Sequence, residues 1–150
     1  MYSSITKVLS ITLFVSCFLV SSSINSSLAS QAQLPKNAKV FFKNIKDGQT
    51  ISTTQKVEFG IIGLKVHPAG QIIPGTGHHH LIIDGEPTPE GQVVPADDKH
   101  IHFGKGQTDH IVNLTPGEHT LTLQFANGVH LSYGPKLSQK IKVIVVAPKE

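Results

Sequence analysis

The chain has 150 residues, a formal charge of +3, 39% hydrophobic and 15% charged residues, which is the composition of one ordinary globular domain with few ionic groups. Nine histidines stand beside one cysteine and one methionine, with no tryptophan and no arginine. Without arginine the planar fork that reads phosphate and guanine is missing, which argues against a nucleic-acid partner despite a pI near 9.0.

The first segment reads as an export signal. Lys7 supplies a weak positive start, and Val8 to Val20 form an apolar run interrupted by serines and Cys17. That run is short for a membrane span, which needs about 20 apolar residues. Small residues then allow cleavage after Ala29 or Ala32, leaving a short tail over 30–37 and a domain over 38–147. Periplasmic or secreted localisation follows. The alternative is a lipoprotein anchored through Cys17, which follows Phe14-Val15-Ser16. Losing Lys7 lowers the charge to +2, and Met1 and Cys17 leave with the leader. An exported domain without a disulfide must rely on its core, and one of this size buries roughly two thirds of its unfolded surface.

The remainder reads as all-β: short apolar-alternating segments lie between Gly, Pro, Asn and Asp turns, and no stretch sustains a 3.6-residue period. Expected strands are Lys39 to Lys43, Gln55 to Leu64, His78 to Ile83, His100 to Phe103, Gln107 to Leu114, Glu118 to Ala126 and Lys140 to Val146. In the second, Val57, Phe59 and Ile61 share a face, and Gly60 and Gly63 suggest a bulge. Glu86 to Lys99, with Pro87, Pro89 and Pro95, is expected to be a surface loop. Strands at this spacing fit a small immunoglobulin-like β-sandwich, with a small β-barrel as the alternative. At Asn127-Gly128 a two-residue hairpin would put Leu131 with Gln124 on the polar face. A longer loop is the better expectation, and it would free His130 to turn toward a site.

Five histidines fall in two motifs, His78-His79-His80 and His100-Ile101-His102. Side chains alternate along a strand, so Leu81, Ile83, Ile101 and Phe103 facing the core send His78, His80, His100 and His102 to the outer face. If the two strands pair, Cβ atoms about 5 Å apart bring these imidazoles within reach of one metal ion. Neutral imidazole suits Zn or Cu(II), then Ni(II), and the lack of sulfur disfavours Cu(I). Asp97, Asp98 or Asp84 are candidates for a further ligand or for an acceptor behind an imidazole. The competing readings are a structural polar network and an uncommitted surface. His79 and His119 are expected to be buried and hydrogen-bonded, and His67 and His110 to be isolated.

Catalytic signatures are sparse: there is no HExxH, no Gly-x-Ser-x-Gly elbow and no P-loop. A metal-dependent hydrolase would need Asp97 or Asp98 to activate a bound water, and no spacing supports it. A carbohydrate module would need aromatic platforms that the chain lacks.

The runs Gly75 to Asp84, Val94 to Thr108 and Leu114 to Leu121 resemble the bacterial exported family catalogued as domain of unknown function 4399, over about Lys39 to Val146. The resemblance implies an envelope or secreted location in a bacterium and a single small β domain. Its pattern includes the triple His, His-x-His-Phe-Gly, Pro-Gly-Glu-His and a late His that maps to His130; His110 lies outside it. The sequence therefore leads us to expect a non-catalytic, exported β domain that binds a divalent metal through His78, His80, His100 and His102, with His130 or Asp97 completing the site. An envelope protein is a possible partner.

Overall fold

A computed structural model describes residues 34–148; the expected leader and the first half of the short tail lie outside them. The strands are β1 (Lys39–Phe42), β2 (Gln49–Ser52), β3 (Thr54–Ile62), β4 (Lys65–Val66), β5 (Thr76–Ile83), β6 (His100–His102), β7 (Asp109–Asn113), β8 (Gly117–Ala126) and β9 (Ser138–Val146), with one 3-10 turn at Pro135–Leu137. Among the described residues there is no α-helix, and so none long and apolar enough to cross a membrane.

The strands form two sheets, β1-β3-β7 and β2-β9-β8-β5-β4, with β6 also on β5. They share one apolar core, to which the smaller sheet contributes Val40, Phe42, Val57, Phe59 and Val112, and the larger sheet Leu81, Leu121, Leu123, Phe125, Ile141, Val143 and Val145. Each such side chain stabilises the fold by about 1.5–3 kcal/mol when fully buried, so period-2 patterning decides which face turns inward. The result is a β-sandwich. Among the described residues the strands do not join into one hydrogen-bonded ring, so the sheets do not close as a full barrel.

Every strand expected from the pattern is present, with ends shifted by a residue or two. The pattern missed β2 and β4. β2 buries only Ile51 and is held by parallel pairing with β9, Gln49 opposite Val143 through Ser52 opposite Val146. The bulge expected at Gly60 is absent: β1 and β3 pair in unbroken register, Phe41 opposite Gly60. A Cβ at Gly60 would lie 2.3 Å from the Phe41 ring, so the glycine there makes room for an aromatic cover.

β5 is the strand that positions the site, because it is buried on both faces. His79 and Leu81 enter the shared core, while His78, His80 and Ile82 point to the opposite face and are equally enclosed. The expectation of a solvent-facing histidine row is therefore corrected: His78 is 0% and His80 2% exposed. The cover comes from two connections. Segment 86–99, expected to be a surface loop, returns to bridge Val93 with Leu131, buries Thr88 and Val94, and donates the Val94 N–H to His130 O at 3.0 Å. Ser132 Oγ in turn donates to Thr88 O at 2.8 Å. On β8, the nominally polar Thr122 and Gln124 are buried on this same outer face.

Candidate metal centre

β5 and β6 pair antiparallel with His80 opposite His102 and Ile82 opposite His100. Expected from two isolated motifs, this pairing places His80 and His102 side by side, and His78 joins them two residues along the same face. The fourth ring arrives from the β8–β9 connection. Asn127 N–H donates to Leu131 O at 2.9 Å, and Asn127 Oδ1 accepts the backbone N–H groups of Val129 and Leu131, both at 3.0 Å. These bonds close a loop longer than the two-residue hairpin, as the register conflict in the sequence indicated. Within it His130 adopts φ 69°, a left-handed conformation uncommon for a residue with a Cβ, and its ring turns back toward β5 and β6.

The four rings converge through the same atom. His80 Nε2 and His78 Nε2 are 3.0 Å apart, His102 Nε2 and His78 Nε2 3.2 Å, and His130 Nε2 and His102 Nε2 3.1 Å. Ring centroids within the quartet lie between 4.7 and 5.9 Å apart. The ligating nitrogens of His78, His80 and His102 all fall within 4.8 Å of one another, so these three could hold a metal ion. Zn–N bonds of about 2.0–2.1 Å at tetrahedral angles put neighbouring nitrogens about 3.3–3.4 Å apart. The three close contacts therefore need only a few tenths of an ångström of expansion, and His130 reaches the group through His102 Nε2. The three contacts cannot all be hydrogen bonds, because a ring nitrogen offers one N–H or one lone pair and His78 Nε2 faces two other nitrogens.

Electrostatics favour the ligating form. Burial lowers the His78 pKa from 6.5 to about 4, with repulsion from protonated His102 and His130 adding to it. Burial pushes His80 lower still, followed by repulsion from His78, His102 and His130. His102, nearer solvent, is lowered by desolvation and then by His130. At neutral pH these imidazoles are uncharged, as metal binding requires. Two glycines shape the site. A Cβ at Gly77 would lie 2.2 Å from Ala126 O, and one at Gly104 would lie 2.3 Å from the His102 ring. Both positions admit close approach that any side chain would prevent.

His100 and Asp97 stand apart from the converged nitrogens. His100 Nδ1 donates to Asp97 Oδ1 at 2.7 Å, and the same oxygen accepts the backbone N–H groups of Lys99 and His100. The His100 hydrogen bond, then that from Lys99, holds the Asp97 carboxyl below its usual range. This pair ends the 86–99 connection and starts β6. Asp84 is likewise engaged elsewhere: His119 Nδ1 donates to Asp84 Oδ2 at 2.8 Å, and Asp84 Oδ1 accepts the Thr120 N–H at 2.8 Å. His119 is thus half-buried at the rim, where the sequence suggested a buried position.

His79 is buried as expected but is not hydrogen-bonded. It packs between Phe59 and Phe125, at 5.4 and 5.1 Å, and both ring nitrogens lack a partner. Burial lowers its pKa to about 4; the Gln107 and Gly60 backbone lies near enough to oppose that slightly, without hydrogen-bond geometry. His67 Nδ1 donates to Pro68 O, and His110 rests against Phe103 rather than standing alone. Gln124, read from the sequence only as a polar-face residue, lies directly opposite His80.

Comparison with known proteins gives a family but no described activity. No curated protein and no solved structure matches significantly. The domain of unknown function DUF4399 matches residues 57–146, a span that includes all four converging histidines, and the chain belongs to that family.

Proposed function

We propose that this is an exported, non-catalytic domain that captures a divalent transition metal, Zn or Cu(II), through His78, His80 and His102, with His130 as the fourth ligand, for binding or delivery in the envelope. The observation that supports it best is the convergence of Nε2 atoms at 3.0–3.2 Å on a pair of buried imidazoles, His78 and His80, that burial keeps uncharged. A purely structural network is disfavoured on the same grounds. His78 Nε2 faces the Nε2 atoms of both His80 and His102, and with one N–H or one lone pair it can hydrogen-bond to only one of them. All-imidazole ligation suits borderline cations, and neither Cys nor Met occurs in residues 34–148 to favour Cu(I). A hydrolase is less well supported, because the group holds histidines only and the nearby Asp97 is taken by His100.

Calorimetric titration of the metal-stripped protein with Zn²⁺ and with Cu²⁺ tests this. One ion per chain should bind in the micromolar range or tighter. His80→Ala should abolish binding, because it breaks the group of three whose nitrogens lie within 4.8 Å of one another, and His130→Ala should weaken it less, because that group stays whole. Affinity no tighter than millimolar, or unchanged binding in the double variant His78→Ala, His102→Ala, would overturn the reading.

A further inference from the structure

His102 and His130, the two outer rings of the quartet, are carried on separate segments, and a third segment bonds to both. The β4–β5 connection, residues 67–75, leaves β4 where Val66 pairs with Gly77, the residue before His78. Two successive N–H groups within it donate to different neighbours, Ala69 N–H to Gly104 O and Gly70 N–H to Gly128 O, both at 2.8 Å. Gly104 follows His102 by two residues and lies against its ring, and Gly128 precedes His130 by two. Gly70 has φ 140°, a backbone conformation open to glycine and rarely taken by residues with a side chain. The fit at Gly128 is tighter: a Cβ there would lie 1.8 Å from Gln71 O, and because that atom is backbone no side-chain rotation relieves the clash. His130 needs such a restraint. Its left-handed backbone persists only where the surroundings impose it, and its ring meets the group at His102, Nε2 to Nε2 at 3.1 Å.

We infer that residues 69–71 form a clasp that positions the fourth ligand of the metal centre: docked on Gly104 and Gly128, their backbone holds His130 against His102, and Gly128 is the positioning residue because only glycine lets the two backbones meet. This rests on the metal-binding reading above. Gly128 touches no ion and acts only through His130. The inner ligands do not depend on the clasp, since the pairing of β5 with β6 and β8 places His78 and His80.

The test is a double-variant cycle on the full-length protein, with Zn²⁺ affinity read by competition with a chromophoric chelator. Gly128→Ala should weaken binding by about 10–100-fold, and by no more than His130→Ala does. In a His130→Ala background the same change should cost no more than about threefold. A merely structural glycine would lower affinity alike in both backgrounds. Gly70→Ala adds a Cβ that meets no atom within 4 Å and strains φ alone; it should give a smaller loss with the same dependence on His130, and it carries the cycle if Gly128→Ala does not fold. In metal-free protein, nuclear Overhauser contacts between the ring protons of His102 and His130 should be present in the parent and lost in Gly128→Ala, while those between His78 and His80 persist. Parent-like Zn²⁺ affinity in both glycine variants, or equal losses with and without His130, would overturn the inference. If the parent binds no Zn²⁺, the metal reading fails by itself, and the His102–His130 ring contact in the parent and in the glycine variants still decides the role of the clasp.

Discussion

His79 and its neighbours His78 and His80 share a strand, a residue type and near-complete burial, yet they enter opposite faces of the larger sheet. On the inner face His79 meets Phe59 and Phe125, an environment that asks nothing of its nitrogens. On the outer face His78 Nε2 meets the Nε2 atoms of His80 and His102, and His102 Nε2 meets that of His130. Burial and a lowered pKa are common to both faces and do not tell them apart. What distinguishes the outer face is convergence: several donors of one chemical type meet at a common point, at spacings that a single cation would accept. A perturbed pKa marks a candidate site only when geometry accompanies it.

The largest expected effect separates the two faces outright. Phe59→Ala, on the inner face, should cost about 3–5 kcal/mol in denaturant unfolding, because a cavity is left among packed rings. The folded fraction should still bind one metal ion. His102→Ala should do the reverse: its ring is largely exposed, so unfolding should shift by no more than about 0.5 kcal/mol while Zn²⁺ affinity collapses. If both variants lost stability and affinity together, the distinction between core and site would break down.

A smaller effect tests the inner histidine alone. His79→Leu replaces two orphaned ring nitrogens with apolar atoms of similar bulk, and should raise stability by about 1–2 kcal/mol with Zn²⁺ affinity unchanged. A large loss of affinity there would make His79 part of the site. The pH dependence of folding sharpens the same point. The folded His79 pKa is about 4 against 6.5 for the free side chain, so the unfolded chain binds more protons between those values. Its neutral burial therefore leaves stability intact above pH 6.5 and erodes it as pH falls from 6.5 toward 4. Denaturation midpoints of metal-free protein measured over that window should drop, and His79→Leu should flatten part of the decline. Smallest of all should be Asp97→Ala, which loosens His100 at the start of β6 and should change Zn²⁺ affinity by no more than about threefold.

Much of this was legible from residue order. Alternation in Val57 and Phe59, or in Leu121, Leu123 and Phe125, names the core face, since apolar area sets the orientation of a strand. The spacing in His78-x-His80 and His100-x-His102 placed each pair on one face for the same reason. The conflict at Asn127-Gly128 between turn preference and pleat was enough to release His130 toward the site. The sheet pairings that bring these parts together carry no local signal. Gln49–Ser52 falls outside every expected strand and becomes one by pairing with the edge of β9.

Sequence alone, then, determined the all-β class, seven of the nine strands and the histidines that share a face, because these follow from backbone periodicity. Tertiary structure alone decided that the outer face is interior, that His130 joins the cluster while His100 turns to Asp97, and that Gln124 is buried opposite His80. Those outcomes depend on which long connection folds over which face. Segments 86–99 and 127–137 exclude water from side chains that the pattern marks as polar, and no period-2 pattern within a strand records what later lies on top of it.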